Sequence, residues 1–204
     1  MRKAGRRILF CLFLAAFFWG GTLVADRKLL RQELIRLHVV AESDSEAHQA
    51  VKLQVRDAVL DSLQEDLQHL ADLEQAKAYL RENLPRIRSV ANAVLREAGF
   101  DTEADVTLCP EAFDTRVYDT FTLPAGVYES LRITIGEGEG KNWWCVVFPS
   151  LCLPAAGEDF EDVAAGAGFP ETLSNTLTGE EGCELRFFLL DLLGKTENLL
   201  FREE

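Results

Sequence analysis

Residues 127–148 read VYESLRITIGEGEGKNWWCVVF, two extended runs separated by a glycine-rich gap. In the first run Tyr128, Ser130, Arg132 and Thr134 alternate with Glu129, Leu131, Ile133 and Ile135. That period of two marks a strand with one face towards a core and one wetter face. In the second run Trp143 and Trp144 are neighbours, so their rings must point to opposite faces of a sheet. One serves the core, and the other is a recognition anchor or lies under a helix. Gly136, Gly138 and Gly140 supply a loop whose backbone takes positive φ without a Cβ penalty. The simplest reading is an antiparallel hairpin, entered through the tight turn LPAG at 123–126.

Working outward, LIRLHVVAE from Leu34 has Ile35, Leu37 and Val39 alternating with Arg36, His38 and Val40, a further strand. SDSE follows, where Ser43 can cap a helix and Glu46 can reach back to the free amide. That helix runs to about Leu67, with Ala47, Val51, Val55, Ala58 and Val59 on its apolar face. A second helical pattern starts at the cap Asp72 and ends at Gly99. Pro85 interrupts it, and a break into two helices is expected because the ring collides with the carbonyl four residues back. Short extended runs around Val106 and Val117 then lead to the hairpin. The expected class is α+β: one domain over residues 34–154, with a mostly antiparallel sheet packed against two to three helices.

The ends have a different character. Arg2, Lys3, Arg6 and Arg7 precede ILFCLFLAAFFWGGTLVA at 8–25, an 18-residue uncharged run. As a helix it would extend about 27 Å, enough to cross a bilayer core. Residues 1–28 therefore read as a signal peptide or a membrane anchor, the anchored form leaving the basic end in the cytosol. Residues 155–204 read as a flexible acidic linker, AAGEDFEDVAAGAG, followed by a terminal amphipathic helix around LRFFLLDLL, free to dock on the domain, a partner or the membrane.

Charge bounds the partners. The whole chain carries −13, and removing the four basic residues before Ile8 leaves 17 Lys and Arg against 34 Asp and Glu, or −17. Nucleic acid and anionic lipid are poor partners for such a surface, which also simply keeps a domain soluble.

Four of the five cysteines, Cys109, Cys145, Cys152 and Cys183, lie beyond the apolar run. In an oxidising compartment Cys145 and Cys152 are the first candidates for a disulfide, the alternative being two buried thiols. Closing that loop would contribute roughly 2.5 kcal/mol through unfolded-chain entropy. Zinc lacks a second close cysteine or histidine pair. The GEGEG loop is no phosphate cradle, because Glu137 and Glu139 would repel an anion. The one catalytic pairing to weigh is Cys145 with His38, as in an envelope Cys-dependent hydrolase or transferase.

Several blocks fall in a recognisable order: IRLHVVAESDSEAHQAVKLQVRDAVL at 35–60, ENLPRI from Glu82, and LPAGVYESLRITIGEGEGKNWWCVVFPSLC at 123–152. With the leading apolar segment, these resemble the stage II sporulation protein R family of endospore-forming bacteria. The resemblance implies a protein made in the forespore and exported into the space between forespore and mother-cell membranes. It implies a signalling protein rather than an enzyme, with a membrane-embedded aspartic protease as receptor and processing of the precursor of the mother-cell sigma factor σE as outcome. No cofactor, metal, nucleic acid or small-molecule substrate is implied. The matching positions are His38, Asp44, Gly138, Gly140, Asn142, Trp143, Trp144, Cys145, Pro149 and Cys152, expected as a structural and recognition motif.

Overall fold

The computed structural model describes residues 2–118, 120–149 and 169–203, without the side chains of 2–5, 8, 9, 12, 14–17 and 203. In chain order the elements are α1 (Arg2–Glu33), β1 (Ile35–Val40), α2 (Glu46–Gln68), α3 (Leu73–Glu97), β2 (Ala104–Phe113), β3 (Arg116–Val117), β4 (Thr122–Leu123), β5 (Gly126–Ile135), β6 (Asn142–Phe148), α4 (Glu171–Thr178) and α5 (Glu184–Glu203). The class is α+β, as expected.

The hairpin is not formed. Strands order as β2-β5-β1-β6, so β1 lies between the two runs of the opening stretch. It pairs parallel with β5, Leu37 opposite Leu131, and antiparallel with β6, Leu37 opposite Cys145. The sheet is therefore mixed: two of its three pairings are antiparallel, β6 with β1 and β2 with β5 on the outer side, and the central one is parallel. The reason is visible in β1: all six of its residues are buried, as suits a central strand covered on both faces. Pro110 sits in edge strand β2, where a missing amide is tolerated.

The glycine loop instead carries the chain across the end of β1. Its amides dock on the β1–α2 turn, Gly140 N–H donating to the Ala41 carbonyl (2.8 Å) and Glu139 N–H to the Glu42 carbonyl (3.2 Å). Lys141 N–H donates to Asp44 (2.7 Å), and the buried Lys52 ammonium donates to the Lys141 carbonyl (2.9 Å). At Gly140 a Cβ would overlap the Ser43 carbonyl, so this crossing needs a bare backbone.

One sheet face packs against α2 and α3 through Leu37, Val39, Leu131, Ile133 and Val147, met by Val55, Val59, Leu80, Ile87 and Leu95. Pro85 does not break α3, which runs continuously from cap Asp72 to Ala98. Leu80 and Ile87 are fully buried on either side of it, so packing on the sheet holds both halves in line despite one lost hydrogen bond. The helix closes in a Schellman arrangement, Phe100 N–H to the Leu95 carbonyl and Gly99 N–H to that of Arg96, with Gly99 at φ 80°. The cap of α2 is Ser45 rather than Ser43: its hydroxyl accepts from His48 N–H, while Ser43 Oγ accepts from Ser45 N–H.

The other face is covered too. Leu23, Leu30 and Leu34 from α1 and its end, Phe169, Leu173 and Leu177 from α4, and Leu190 from α5 pack over Phe113, Tyr128 and Val146. Residues 169–203 lie against the sheet, so the terminal helix takes the first of its expected places, docked on the domain, and this part of the chain is not a flexible tail. Asp191 accepts from the Ala125 amide (2.8 Å) and Thr115, and Asn198 donates to the Phe113 carbonyl (2.7 Å). Gly194 meets the Ala125 carbonyl so closely that no Cβ fits. The linker expected at 155–168 lies outside the described residues. Among the described residues no helix is long and apolar enough to cross a membrane, and seven of the 18 side chains of the 8–25 run lie outside them.

Candidate recognition surface

The register of β6 sorts the opening motif onto two faces. Trp143 stands opposite Val39 and Trp144 opposite His38, so the two rings point to opposite sides, as read from the sequence. Trp143 lies at the exposed start of the strand, 36% accessible, with the Arg56 guanidinium of α2 over its ring at 4.3 Å. Trp144 is half-buried on the far face, stacked on His38 at 5.4 Å and covered by Arg116 at 3.5 Å. Each ring thus keeps an apolar face against the protein and a cation beside it.

Beneath Trp144 lies a polar cluster. His38 Nδ1 donates to Glu111 (2.8 Å), and its Nε2 lies 2.8 Å from the side-chain oxygen of Asn142. Arg132 donates to the same Glu111 oxygen at 3.2 Å. Burial pushes the Glu111 carboxyl up, but the His38 hydrogen bond and charge, with Arg132, outweigh it and hold the group below its ordinary value. Two residues before His38, Arg36 is fully buried, its guanidinium 4.3 Å from the Phe113 ring and 2.8 Å from the Tyr118 hydroxyl. Burial pushes the neighbouring Tyr128 phenol up to about 12, so it stays protonated and donates to the Pro124 carbonyl (2.8 Å).

The expected motif therefore divides. His38, Asn142 and Trp144 come together on this face, while Trp143 and the buried Cys145 lie on the other. Asp44, Gly138 and Gly140 build the loop crossing: Asp44 holds the Lys141 amide, and a Cβ on Gly138 (φ 67°) would lie 2.6 Å from the Thr134 methyl. Pro149 follows β6 through a cis peptide bond. The partner that orients His38 is Glu111. Sequence reading missed Glu111 and Arg132, which the folded sheet brings together at His38, and Arg116, which reaches the Trp144 ring from the separate β3–β4 pair.

The Cys145–His38 pairing does not assemble. Leu37, not His38, stands opposite Cys145, and Cys145 is buried in the core on the α2–α3 side. Adjacent strand residues point apart, so thiol and imidazole occupy opposite faces. Cys11, Cys109 and Cys183 are free thiols, Cys145 is not among them, and its expected partner Cys152 lies outside the described residues. Among the described residues no cluster of histidines, cysteines or carboxylates is fit to hold a metal.

The family model described as "Stage II sporulation protein R" matches residues 31–158, which takes in every strand of both sheets. Stage II sporulation protein R of Bacillus subtilis (strain 168) is 31% identical over 181 residues, covering 80% of this chain and 81% of that protein. No solved structure matches. On the family match and the extent of this identity, the chain belongs to the stage II sporulation protein R family.

Proposed function

We propose that this chain is an exported, non-enzymatic signal. It leaves the forespore for the intermembrane space and binds the outer face of a membrane-embedded aspartic protease. By preferring the active state of that receptor it promotes processing of the σE precursor. The observation that carries the reading is membership of the sporulation family across the whole sheet. Residues 8–25 supply the export segment or membrane tether.

The surface best suited to receptor contact is the exposed start of β6. Trp143 there offers a large ring beside Arg56 on an otherwise acidic domain, a combination typical of an interface anchor. The hydrolase alternative loses its main support with the separation of Cys145 from His38.

Co-expression of this chain, the receptor protease and the σE precursor in a non-sporulating host tests the reading. Cleavage of the precursor that depends on this chain supports it, and a precursor left intact contradicts it. Export also makes the cysteines testable: with a Cys145–Cys152 disulfide, Cys145→Ser and Cys152→Ser damage stability equally, and thiol labelling of both appears only after reduction. A Cys145 enzyme would instead be inactivated by the first change alone.

A further inference from the structure

A groove of about 580 Å³ runs between α1 and α5, lined by Gly20, Gly21, Leu23, Val24, Leu189, Leu192 and Leu193. It lies where α1 leaves the domain. Below Asp26 the helix carries no charge back to Ile8, and Trp19 is exposed at the level of the groove. An amphipathic ring at the end of an apolar run is the pattern of a membrane–water boundary.

The outer side of α5 matches it. Leu185, Phe188 and Leu192 follow at three- and four-residue spacing, Leu199 and Leu200 repeat Leu192 and Leu193 seven residues on, and all six are exposed, Leu192 at 46% and Leu193 at 40%. The opposite side of the helix carries Leu190, Asp191 and Asn198 and is committed to the sheet. Lys195 and Arg202, seven residues apart, border the apolar stripe with side chains 60% exposed. Long cationic stems at the margin of an apolar stripe allow a helix to lie in a bilayer surface with its charges in the headgroups.

The ion pairs between the helices fix their relation. Asp26 of α1 pairs with Arg186 of α5, and Glu197 of α5 pairs with both Arg27 and Arg31. A bilayer that holds residues 8–19 must therefore meet the leucines of α5 at the depth of Gly20 to Val24.

We infer that α5 is a membrane-surface helix, whose leucine face, together with the α1 groove, seats the domain in the outer boundary of the bilayer. The inference rests on the membrane role proposed above for residues 8–25. It adds a second point of contact, which sets the tilt of the domain over the membrane rather than leaving it on a swivel. The acidic domain makes zwitterionic lipid sufficient and the contact insensitive to salt.

The test uses the full chain in phosphatidylcholine vesicles whose acyl chains carry a photoreactive diazirine, with label mapped by mass spectrometry. Expected is label on residues 185–200 as well as on 8–19, unchanged by added salt. Leu192→Asp with Leu193→Asp should lose the α5 label while α1 keeps it, and the folded circular dichroism signal should persist because both side chains point outward. Leu199→Asp provides the same comparison one helical turn or more away from the groove. Label confined to α1 overturns the inference. A chain with no label on α1 overturns the anchor on which it rests, and receptor activation is scored separately by precursor cleavage.

Discussion

At His38 a single imidazole ties three strands together: Glu111 of β2 on one nitrogen, Asn142 of β6 on the other, and Trp144 against its ring. Because the folded Glu111 carboxyl titrates below its ordinary value, its ionised form stabilises the fold. That contribution is complete above the ordinary carboxylate range near ~4.3 and is lost as pH falls through the lowered folded value. Urea midpoints measured from pH 7 down to 3 should fall in this acid window, and Glu111→Gln should be weaker at pH 7 but flatter below it. Parallel curves for the two proteins would contradict the assignment. Gly140 offers a steric test. Gly140→Ala pushes a methyl into the Ser43 carbonyl and should cost about 1–3 kcal/mol, read from the same midpoints. The glycines were visible in the sequence, but their reason was not. Gly140 serves a crossing against a turn nearly a hundred residues earlier, and no local pattern distinguishes that from a hairpin turn.

At the scale of elements, local signals were readable and partners were not. The cap at Asp72 and the stop at Gly99 follow from nearest-neighbour chemistry and stand in the structure, whereas the alternation of 128–135 holds only from Leu131 to Ile135, because Tyr128 and Ser130 on the expected wetter face are buried. The order β2-β5-β1-β6 places β1 at the centre with both faces buried, but Arg36 and His38 on one of those faces disguise a central strand as a half-exposed one. Pro85 shows tertiary packing overriding a local breaker. Since an interior proline costs about 3 kcal/mol relative to alanine, Pro85→Ala should raise the unfolding free energy by up to about that amount, read as a higher urea midpoint. A lower midpoint would mean that the proline shapes α3 in a way its neighbours require. For α5, Asp191 joins the helix to the Ala125 amide and Thr115, while Lys195 lies 2.8 Å from its other oxygen. Asp191→Ala leaves that amide without its acceptor and should cost about 1–3 kcal/mol, with amide exchange rising first in residues 184–203. The docking of α5 was not legible because its sheet-facing side includes Asp191, Gly194 and Asn198, which read as polar or flexible until their partners on the sheet are known.

For the whole molecule, the sheet divides two tasks. One face and its two helices make a self-contained core, while the other carries the polar His38 cluster and is covered by α1, α4 and α5. Trp143 stands at the edge of the first face, accessible and fixed by Arg56, whereas Trp144 is built into the second. Loss of Trp144 should therefore harm folding along with signalling, and loss of Trp143 should separate the two. The most direct measurement is cleavage of the σE precursor in a non-sporulating host that expresses the receptor protease, with and without this chain. The account predicts cleavage only when the chain is exported, and its loss with Trp143→Ala at equal export and stability. An intact precursor in the presence of the exported wild-type chain would contradict it.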